Sequence, residues 1–486
     1  MPSEGEKIRA QLGHPVIDGD GHWIESAPVF ADYIREVGGA EMAAEYLQSG
    51  GRVSRWQQAS WEERRAKRIV RGGWWTSPAN TLDFATGMMP GLMAHRLDEL
   101  GIDYAIVYPT LNLATSRIGY ADKRRAMSRA YNTMVADLYG PHMDRFTPAA
   151  IIPAYTPEEA MEELDYAIGK LGLKVAMFRG SFPRPIPAYA KDEDSTNGVP
   201  FYVDTLGLDN AADFDPVWQR CLDLRVAVTA HQGSPDWVDR ASITNFVFNH
   251  IGHFANANHS STKAIFLGGV TRRFPNLNFA FLEGGAGYAQ NLLCDLIGHW
   301  EKRNYPAMEK HLKPTNLDVA ELKQLIERYG YERLKDKGDQ IIETLRLAER
   351  TAQETECLDD YAASGVRTKR DIVDLYTRNF YFGCEADDPA TAWAFDARMP
   401  GRLKALFSSD VSHWDVPDMA DVLPEAYEMV EHGLITTNDF RDFTFANSVQ
   451  LHGRNNPDFF KGTVLESEAR NELASVARPE PEVAAG

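Results

Sequence analysis

The sequence predicts an α/β protein built as a (β/α)8 TIM barrel with helical insertions. Eight short apolar runs recur along the 486 residues, and the stretches between them are long enough for crossover helices. The runs are continuously apolar, which is typical of strands buried on both faces of a parallel sheet. A doubly wound open sheet is the alternative architecture for this order of elements.

Each of the eight runs ends close to a polar residue, a glycine or a proline. In chain order the predicted strands are VIDGDGHW (16–23), YAIVYPTLN (104–112), RFTPAAIIPA (145–154), KVAMFRGSF (174–182), RVAVTAHQG (225–233), NFAFLEGG (278–285), FYFGCEADD (380–388) and ALFSSDVSHWD (405–415). The stretch 157–172 illustrates a crossover helix, because its apolar residues have helical spacing and it ends in glycine.

The spacing of the runs locates the insertions. We assign residues 1–300 and 371–465 to one barrel domain and 301–370 to a charged helical insertion, because 28 of those 70 residues are charged against 25% for the chain. Residues 466–486 are polar and contain proline, and we expect a disordered tail there.

Composition excludes several classes of partner. The formal net charge is −19, whereas phosphate backbones need basic patches, so we expect no nucleic-acid partner. The basic stretch RRAKR (64–68) is interpreted as a solvated helix face. No apolar run approaches the roughly 20 residues of a membrane span, and the N-terminus lacks a signal-peptide apolar region. We therefore expect a cytoplasmic protein without a membrane partner. The four cysteines form no CxxC pair, so a metal must be held by His, Asp or Glu.

The stretch VIDGDGHWIE (16–25) is the first candidate metal site. Asp20 and His22 are two apart on a strand, so their side chains point to the same side. An EF-hand is excluded because the twelfth position counted from Asp18 is Val29, where that loop needs a bidentate glutamate. A hydrophilic turn remains the alternative for this stretch taken alone.

Two further strands end in residues of ligand type, His231 in VTAHQG and Asp410 in LFSSDVSH. Catalytic residues of a TIM barrel lie at the carboxyl ends of its strands. Asp20, His22, His231 and Asp410 therefore form a predicted nitrogen and oxygen ligand set suited to Zn²⁺, Mn²⁺ or Fe²⁺. One ion per chain is the main expectation.

These motifs together resemble the amidohydrolase superfamily, in particular the amidohydrolase-related branch that contains aminocarboxymuconate semialdehyde decarboxylase and the resorcylate decarboxylases. The resemblance runs from about residue 14 to 453, and it also rests on RLDELGIDYAIVYPT (96–110), GGVTRRFPNLNFAFLEGGAGY (268–288) and TFANSVQLHG (444–453). It implies a metal-bearing barrel in which Asp20-x-His22 replaces the His-x-His of the first strand, with His231 and Asp410 completing the site.

The sixth strand departs from the family pattern. Where the decarboxylases commonly have an assisting histidine, this chain has Glu283. His250, His253 and His259 lie upstream; the first two share a face if one helix carries them, and buried structural histidines are the alternative. We consider Asp410, Glu283 and His253 as catalytic residues. Glu283, His250, His253 and His259 are the candidates for a second metal.

The resemblance implies an enzyme, a metal-dependent hydrolase or a non-oxidative decarboxylase, that acts on a small carboxylated or carbonyl substrate. Arg179 is a candidate carboxylate clamp, with a structural salt bridge as the alternative, and Trp75 is a candidate substrate contact. The rival functions are a dinuclear iron hydroxylase that uses oxygen and an inactive barrel subunit that partners an active homologue. A homo-oligomer, most simply a dimer, is expected, with a hetero-oligomer as the alternative.

Overall fold

A computed structural model describes residues 2–49, 55–72, 80–190, 199–231, 241–346 and 359–476. Its centre is a sheet of eight parallel strands, and a separate two-stranded antiparallel hairpin follows the fourth of them. The strands are β1 (Ile17–Trp23), β2 (Tyr104–Pro109), β3 (Phe146–Ile152), β4 (Val175–Phe178), β5 (Phe182–Pro185), β6 (Phe201–Asp204), β7 (Val228–Ala230), β8 (Phe279–Phe281), β9 (Phe380–Glu385) and β10 (Lys404–Ser408).

The sheet curves into a barrel whose order is β1-β2-β3-β4-β7-β8-β9-β10. Its two edges meet through the backbone just beyond β10. The Asp410 N–H donates to the Asp20 carbonyl at 3.2 Å, and the His22 N–H donates to the Val411 carbonyl at 3.2 Å. The first and last strands are therefore joined at their carboxyl ends, where the chemistry of such barrels lies.

Helices surround the barrel and connect its strands. They are α1 (Glu4–Gln11), α2 (Ala27–Ser49), α3 (Arg55–Gln58), α4 (Trp61–Lys67), α5 (Thr81–Met88), α6 (Pro90–Leu100), α7 (Ala121–Tyr139), α8 (Pro157–Leu164), α9 (Asp215–Asp223), α10 (Phe246–His250), α11 (His253–Leu267), α12 (Val270–Arg273), α13 (Gly285–Arg303), α14 (Tyr305–His311), α15 (Val319–Tyr329), α16 (Gly338–Thr344), α17 (Lys369–Asn379), α18 (Val422–Glu431), α19 (Thr437–Arg441), α20 (Asn447–Gly453) and α21 (Glu466–Ser475).

The eight predicted strands and the barrel are confirmed. The hairpin of β5 and β6 was not predicted. The disordered tail is wrong for residues 466–475, because they form α21, which buries Ala469 and Glu472; residues 477–486 lie outside the described part. Within the predicted insertion, α14, α15 and α16 project from the barrel, and α15 has no buried residue. Among the described helices, none combines the length and apolarity needed to cross a bilayer.

Candidate metal centre

The end of β1 has a local shape that two glycines permit. The register against β2 shifts between Asp18 and Gly21, so β1 carries a bulge. A Cβ on Gly21 would lie 2.4 Å from Asp18 Oδ2, and one on Gly19 would lie 3.2 Å from the Phe407 carbonyl oxygen. The spacing D-G-D-G-H is therefore a packing requirement, and it leaves Asp20 and His22 on the side that faces the barrel mouth.

The four predicted ligands converge at the carboxyl ends of β1, β7 and β10. His22 Nε2 lies 3.1 Å from His231 Nε2 and 3.4 Å from Asp410 Oδ1. Asp20 Oδ1 lies 3.7 Å from His22 Nε2 and 3.6 Å from His231 Nε2. Asp20, His22 and His231 form one group of mutually close ligand atoms, and His22 and Asp410 belong to a second such group. The sequence-predicted set is therefore brought together at one place.

Neighbouring groups fix the orientation of these side chains. His22 Nδ1 lies 3.0 Å from the Pro109 carbonyl oxygen, so its N–H points there and leaves Nε2 as a ligand atom. Asp18 is turned away from the ligands, because its carboxylate accepts from the Ser409 N–H at 3.0 Å and from the Ser409 hydroxyl at 2.5 Å. Asp18 therefore joins β1 to the segment that carries Asp410.

Burial dominates the electrostatics of the centre. It raises the pKa values of Asp20, Glu283 and Asp410 well above the ordinary carboxyl range, and the neighbouring carboxylates raise them further. Burial also lowers the pKa of His22 well below its usual range and that of His231 to about 3. The imidazoles are thus neutral, as metal ligands must be, while the crowded carboxylates lack a positive counter-charge.

The residues present fit a divalent cation. Asp20 Oδ1 and Glu283 Oε2 are buried without a hydrogen-bond partner, although buried carboxylate oxygens are ordinarily satisfied. In the described part of the chain, no lysine or arginine forms an ion pair with Asp20, Glu283 or Asp410. Two neutral imidazoles and two carboxylates are a donor set for Zn²⁺, Mn²⁺ or Fe²⁺. Asp20, His22, His231 and Asp410 could therefore hold such an ion.

Glu283 and His413 border this group. Glu283 Oε2 lies 3.5 Å from His231 Nε2, with 3% of the side chain exposed. His413 Nδ1 lies 2.6 Å from Asp410 Oδ1, and its ring stacks on that of His22 at 3.9 Å. His413, not Glu283, joins His22 and Asp410 in the second group of close ligand atoms. His413 is not among the predicted site residues, although its position three residues after Asp410 is a signal for it.

The upstream histidines are arranged differently from the prediction. A single helix through His250 and His253 is wrong, because α10 ends at His250 and α11 starts at His253, with Gly252 between them at φ 76°. The two rings are 4.7 Å apart, and the Phe254 ring lies between His253 at 3.9 Å and His231 at 6.2 Å.

Their ligand atoms are not gathered for a second metal. Among the described residues, Glu283, His250, His253 and His259 do not form a group with mutually close ligand atoms. His259 has Lys263 and Asp295 as its charged neighbours. His250 contacts the rings of Phe246 and Trp414, at 5.1 and 5.4 Å, and this aromatic wall borders the metal centre.

The two predicted substrate contacts have different outcomes. Arg179 follows β4 and is buried, and its Nε–H donates to the Ser181 carbonyl at 2.9 Å. Its role toward a substrate stays a prediction. Trp75 lies outside the described residues, which omit 73–79.

Comparisons with known proteins agree with this architecture. The sequence matches the amidohydrolase family model over residues 42–334, more than half of the chain, a range that contains His231 and Glu283 but neither β1 nor β10. A comparison with curated proteins gives no match. The solved structure of an amidohydrolase from Mycobacterium avium subsp. paratuberculosis K-10 has a TM-score of 0.50 at 17% identity, covering 91% of this chain and 100% of that chain. This likeness shows a shared fold.

Two decarboxylase structures are also similar. A 2,6-dihydroxybenzoate decarboxylase complexed with 2,6-dihydroxybenzoate has a TM-score of 0.49 at 14% identity, covering 90% of this chain and 98% of that chain. A dihydroxybenzoic acid decarboxylase from Polaromonas sp. JS666, with bound manganese and the inhibitor 2-nitroresorcinol, has a TM-score of 0.47 at 16% identity, covering 92% of this chain and 99% of that chain.

Proposed function

This chain belongs to the amidohydrolase family, and from that premise we propose that it is a metal-dependent enzyme that hydrolyses or decarboxylates a small substrate bearing a carboxylate or a carbonyl group. The observation that carries the proposal is the convergence of Asp20, His22, His231 and Asp410, whose closest atoms are 3.1 to 3.7 Å apart. A structural ion would need no titratable groups beyond its ligands, whereas Glu283 and His413 lie directly beside this set.

Asp20, His22, His231 and Asp410 are the proposed holders of one divalent ion. When bound, such an ion supplies a Lewis acid that polarises a substrate oxygen and acidifies a water molecule. The protein's own contribution is to keep both imidazoles neutral and to exclude bulk water, since all four side chains are at most 6% exposed.

Asp410 is the proposed group that moves the proton. In hydrolysis a water oxygen attacks the carbonyl carbon, and Asp410 accepts the water proton and passes it to the leaving group. In decarboxylation the bond to the carboxylate carbon breaks, its electron pair stays on the substrate carbon, and an acid delivers a proton there as CO₂ leaves. His413 Nδ1 lies 2.6 Å from Asp410 Oδ1 without forming a hydrogen bond to it, so among the described residues Asp410 Oδ1 has no hydrogen-bond partner and is open to take up that proton.

Glu283 is the second proposed catalytic residue, because its buried carboxyl faces the same group from the end of β8. His253 is a weaker candidate, since Phe254 separates its ring from that of His231. Arg179 and Trp75 keep their proposed roles as substrate contacts.

The experiment is metal analysis followed by turnover measurements. We expect about one Zn or Mn per chain, and the loaded protein should release CO₂ or acid from at least one member of a panel of carboxylic acids, amides and lactones. Asp410→Asn should lower turnover by about 10²-fold or more. Because Asp410 is also a proposed ligand, turnover is compared at saturating metal, and we expect weaker metal binding with the fold, followed by circular dichroism, kept. Asp421→Asn, at an exposed aspartate, is the control.

Three outcomes would contradict the proposal. Retained turnover in Asp410→Asn removes its assigned role. About two irons per chain with oxygen consumption would indicate a hydroxylase, and a protein that binds no metal after careful loading would indicate an inactive scaffold.

A further inference from the structure

The helical projection between α13 and α17 carries an apolar edge that none of the described residues covers. We call α14, α15 and α16, residues 305–344, the arm. In α15 the apolar residues Val319, Leu322, Leu325, Ile326 and Tyr329 have the spacing of one helix face. Such a face ordinarily packs against a core, yet no residue of α15 is buried.

One side of this apolar face is packed and the other is open. Gly338 at the start of α16 lies against Lys323 and Ile326, so α16 covers that side. On the other side Leu325 is 44% exposed and Tyr329 is 68% exposed. The arm therefore presents a narrow apolar strip that stays exposed among the described residues.

The charge of the arm favours a second copy of this protein as that partner. Residues 305–344 contain seven Lys/Arg and eight Asp/Glu, a net charge of −1, whereas the whole chain carries −19 and the remainder therefore −18. Two copies repel each other through their acidic bodies. This repulsion is weakest when the two copies approach each other arm to arm.

The charged residues beside the strip can form ion pairs with those of a second copy. Glu321 and Arg328 flank Leu325, and among the described residues neither forms an ion pair; Arg328 lies over the Tyr329 ring at 5.1 Å. If two α15 helices pack antiparallel about a two-fold axis between Gln324 and Leu325, each Glu321 faces the partner's Arg328. An interface with two-fold symmetry forms every such contact twice.

We propose that α15 is the contact surface between two copies of this chain, packed antiparallel through Leu325 and Tyr329 and fixed in register by Glu321 and Arg328. The contact lies on the arm, outside the residues that build the metal centre. It is therefore independent of the proposed function.

The test is sedimentation velocity of the full-length, metal-loaded protein at low ionic strength. We expect a dimer that Leu325→Glu converts to monomer, with a dissociation constant at least about tenfold higher, because a charge is placed in the apolar centre. Glu321→Arg and Arg328→Glu should each weaken the dimer through like-charge contacts. The double variant Glu321→Arg/Arg328→Glu should restore it, since the pairs are re-formed with exchanged signs.

Tyr120→Glu is the control, because Tyr120 is 76% exposed on a different part of the molecule and should leave the dimer unchanged. Circular dichroism and metal content verify that each variant is folded. A wild-type protein that stays monomeric at about 10 μM overturns the proposal. So does an oligomer that Leu325→Glu leaves intact, and a double variant that associates no better than the single ones overturns the antiparallel register.

Discussion

At the scale of single residues, three residues beside the metal centre have a strained backbone. Glu283, Asp410 and Ser412 have φ values of 59°, 52° and 81°, in the left-handed region that is unfavourable for residues with a side chain. Each such residue costs about 1 kcal/mol or more, so surrounding bonds must hold it. Two of them lie in the segment after β10, which Asp18 fastens to β1.

Asp18→Ala tests that fastening. The substitution removes the acceptor for the Ser409 N–H, the Ser409 hydroxyl and the Asp20 N–H. Because two buried backbone donors lose their partner, we expect the free energy of unfolding to fall by about 2–4 kcal/mol. We also expect weaker Mn²⁺ binding, since the strained segment with Asp410 is released. Urea denaturation and a metal titration measure the two effects.

Ser409→Ala is the matched control for this prediction. It deletes the hydroxyl that donates to Asp18 and accepts from the Val411 N–H at 3.2 Å, but leaves both backbone bonds to Asp18, so the cost should be smaller, about 1–2 kcal/mol, and metal affinity should fall less. Equal losses in the two variants would show that Asp18 does not act through the backbone of the segment after β10.

At the scale of elements, the helices between β1 and β2 support the loop that carries Asp410 and His413. Arg96 in α6 donates to Asp83 Oδ1 of α5 at 2.7 Å, and Asp83 Oδ2 accepts from the Met419 N–H at 3.1 Å. Gly87 of α5 lies against Ser412, because a Cβ there would be 2.6 Å from Ser412 Oγ. The insertion after β1 is therefore part of the support of the centre.

Arg96→Met is predicted to weaken this support. Arg96 is 5% exposed, and its removal leaves the buried Asp83 carboxylate unpaired, which costs about 3–5 kcal/mol of unfolding free energy. Metal affinity should fall as well, because Asp83 loses the partner that holds it against Met419. Thermal unfolding and metal titration check both. Glu99→Gln, which removes only the half-exposed partner of Arg96, should cost less than about 1 kcal/mol.

The elements also show what could be predicted from the sequence. The barrel strands were predictable because continuous apolar runs report burial directly, and the strand ends led to Asp20, His22, His231 and Asp410. The hairpin of β5 and β6 was not, because Pro183 and Pro185 are poor strand formers and Phe201 is 40% exposed.

The break at Gly252 and the position of His413 depend on contacts with distant parts of the chain. Gly252 takes φ 76° between two helices, although a glycine within a helical pattern is also compatible with an unbroken helix. His413 reaches the ligand group because the segment after β10 bends back over His22. Neither the helix break nor the position of His413 can be predicted from the local periodicity of the sequence.

At the scale of the whole molecule, the net charge is −19, and several of the acidic side chains cluster at the barrel mouth. Asp20, Glu283, Glu385 and Asp410 all have pKa values raised first by burial and then by neighbouring carboxylates, among them Asp410 for the first three and Asp415 for Asp410 itself. A cation that binds the folded chain there stabilises it by mass action, because the unfolded chain has no such site. The stability of the molecule should therefore depend jointly on metal and pH.

Removal of the metal is predicted to reverse the pH dependence of stability between pH 6.5 and 8. The pKa of Glu385 is raised from 4.5 to about 8 in the folded protein, so over this range the unfolded chain binds fewer protons and the folded state loses stability as pH rises. Glu385 alone contributes roughly 1–2 kcal/mol of that loss. The buried histidines oppose this fall in part, because each unfolded imidazole still loses protons above pH 6.5 while the folded one is already neutral, which adds about 0.4 kcal/mol per histidine. Asp20, Glu283 and Asp410, whose pKa values burial raises well above the ordinary range, act in the same direction as Glu385, so the net stability of the metal-free protein still falls.

The metal-loaded protein should behave in the opposite way. Its ligands bind the ion in their deprotonated forms, so metal affinity, and with it the stability of the loaded protein, increases with pH. Calorimetric melting of chelated and Mn²⁺-loaded samples at pH 6.5, 7.25 and 8 measures the two slopes. In the chelated sample Glu385→Gln should flatten the fall, because the glutamine does not titrate. Parallel slopes in the two samples would mean that the buried carboxylates and the ion do not share one site.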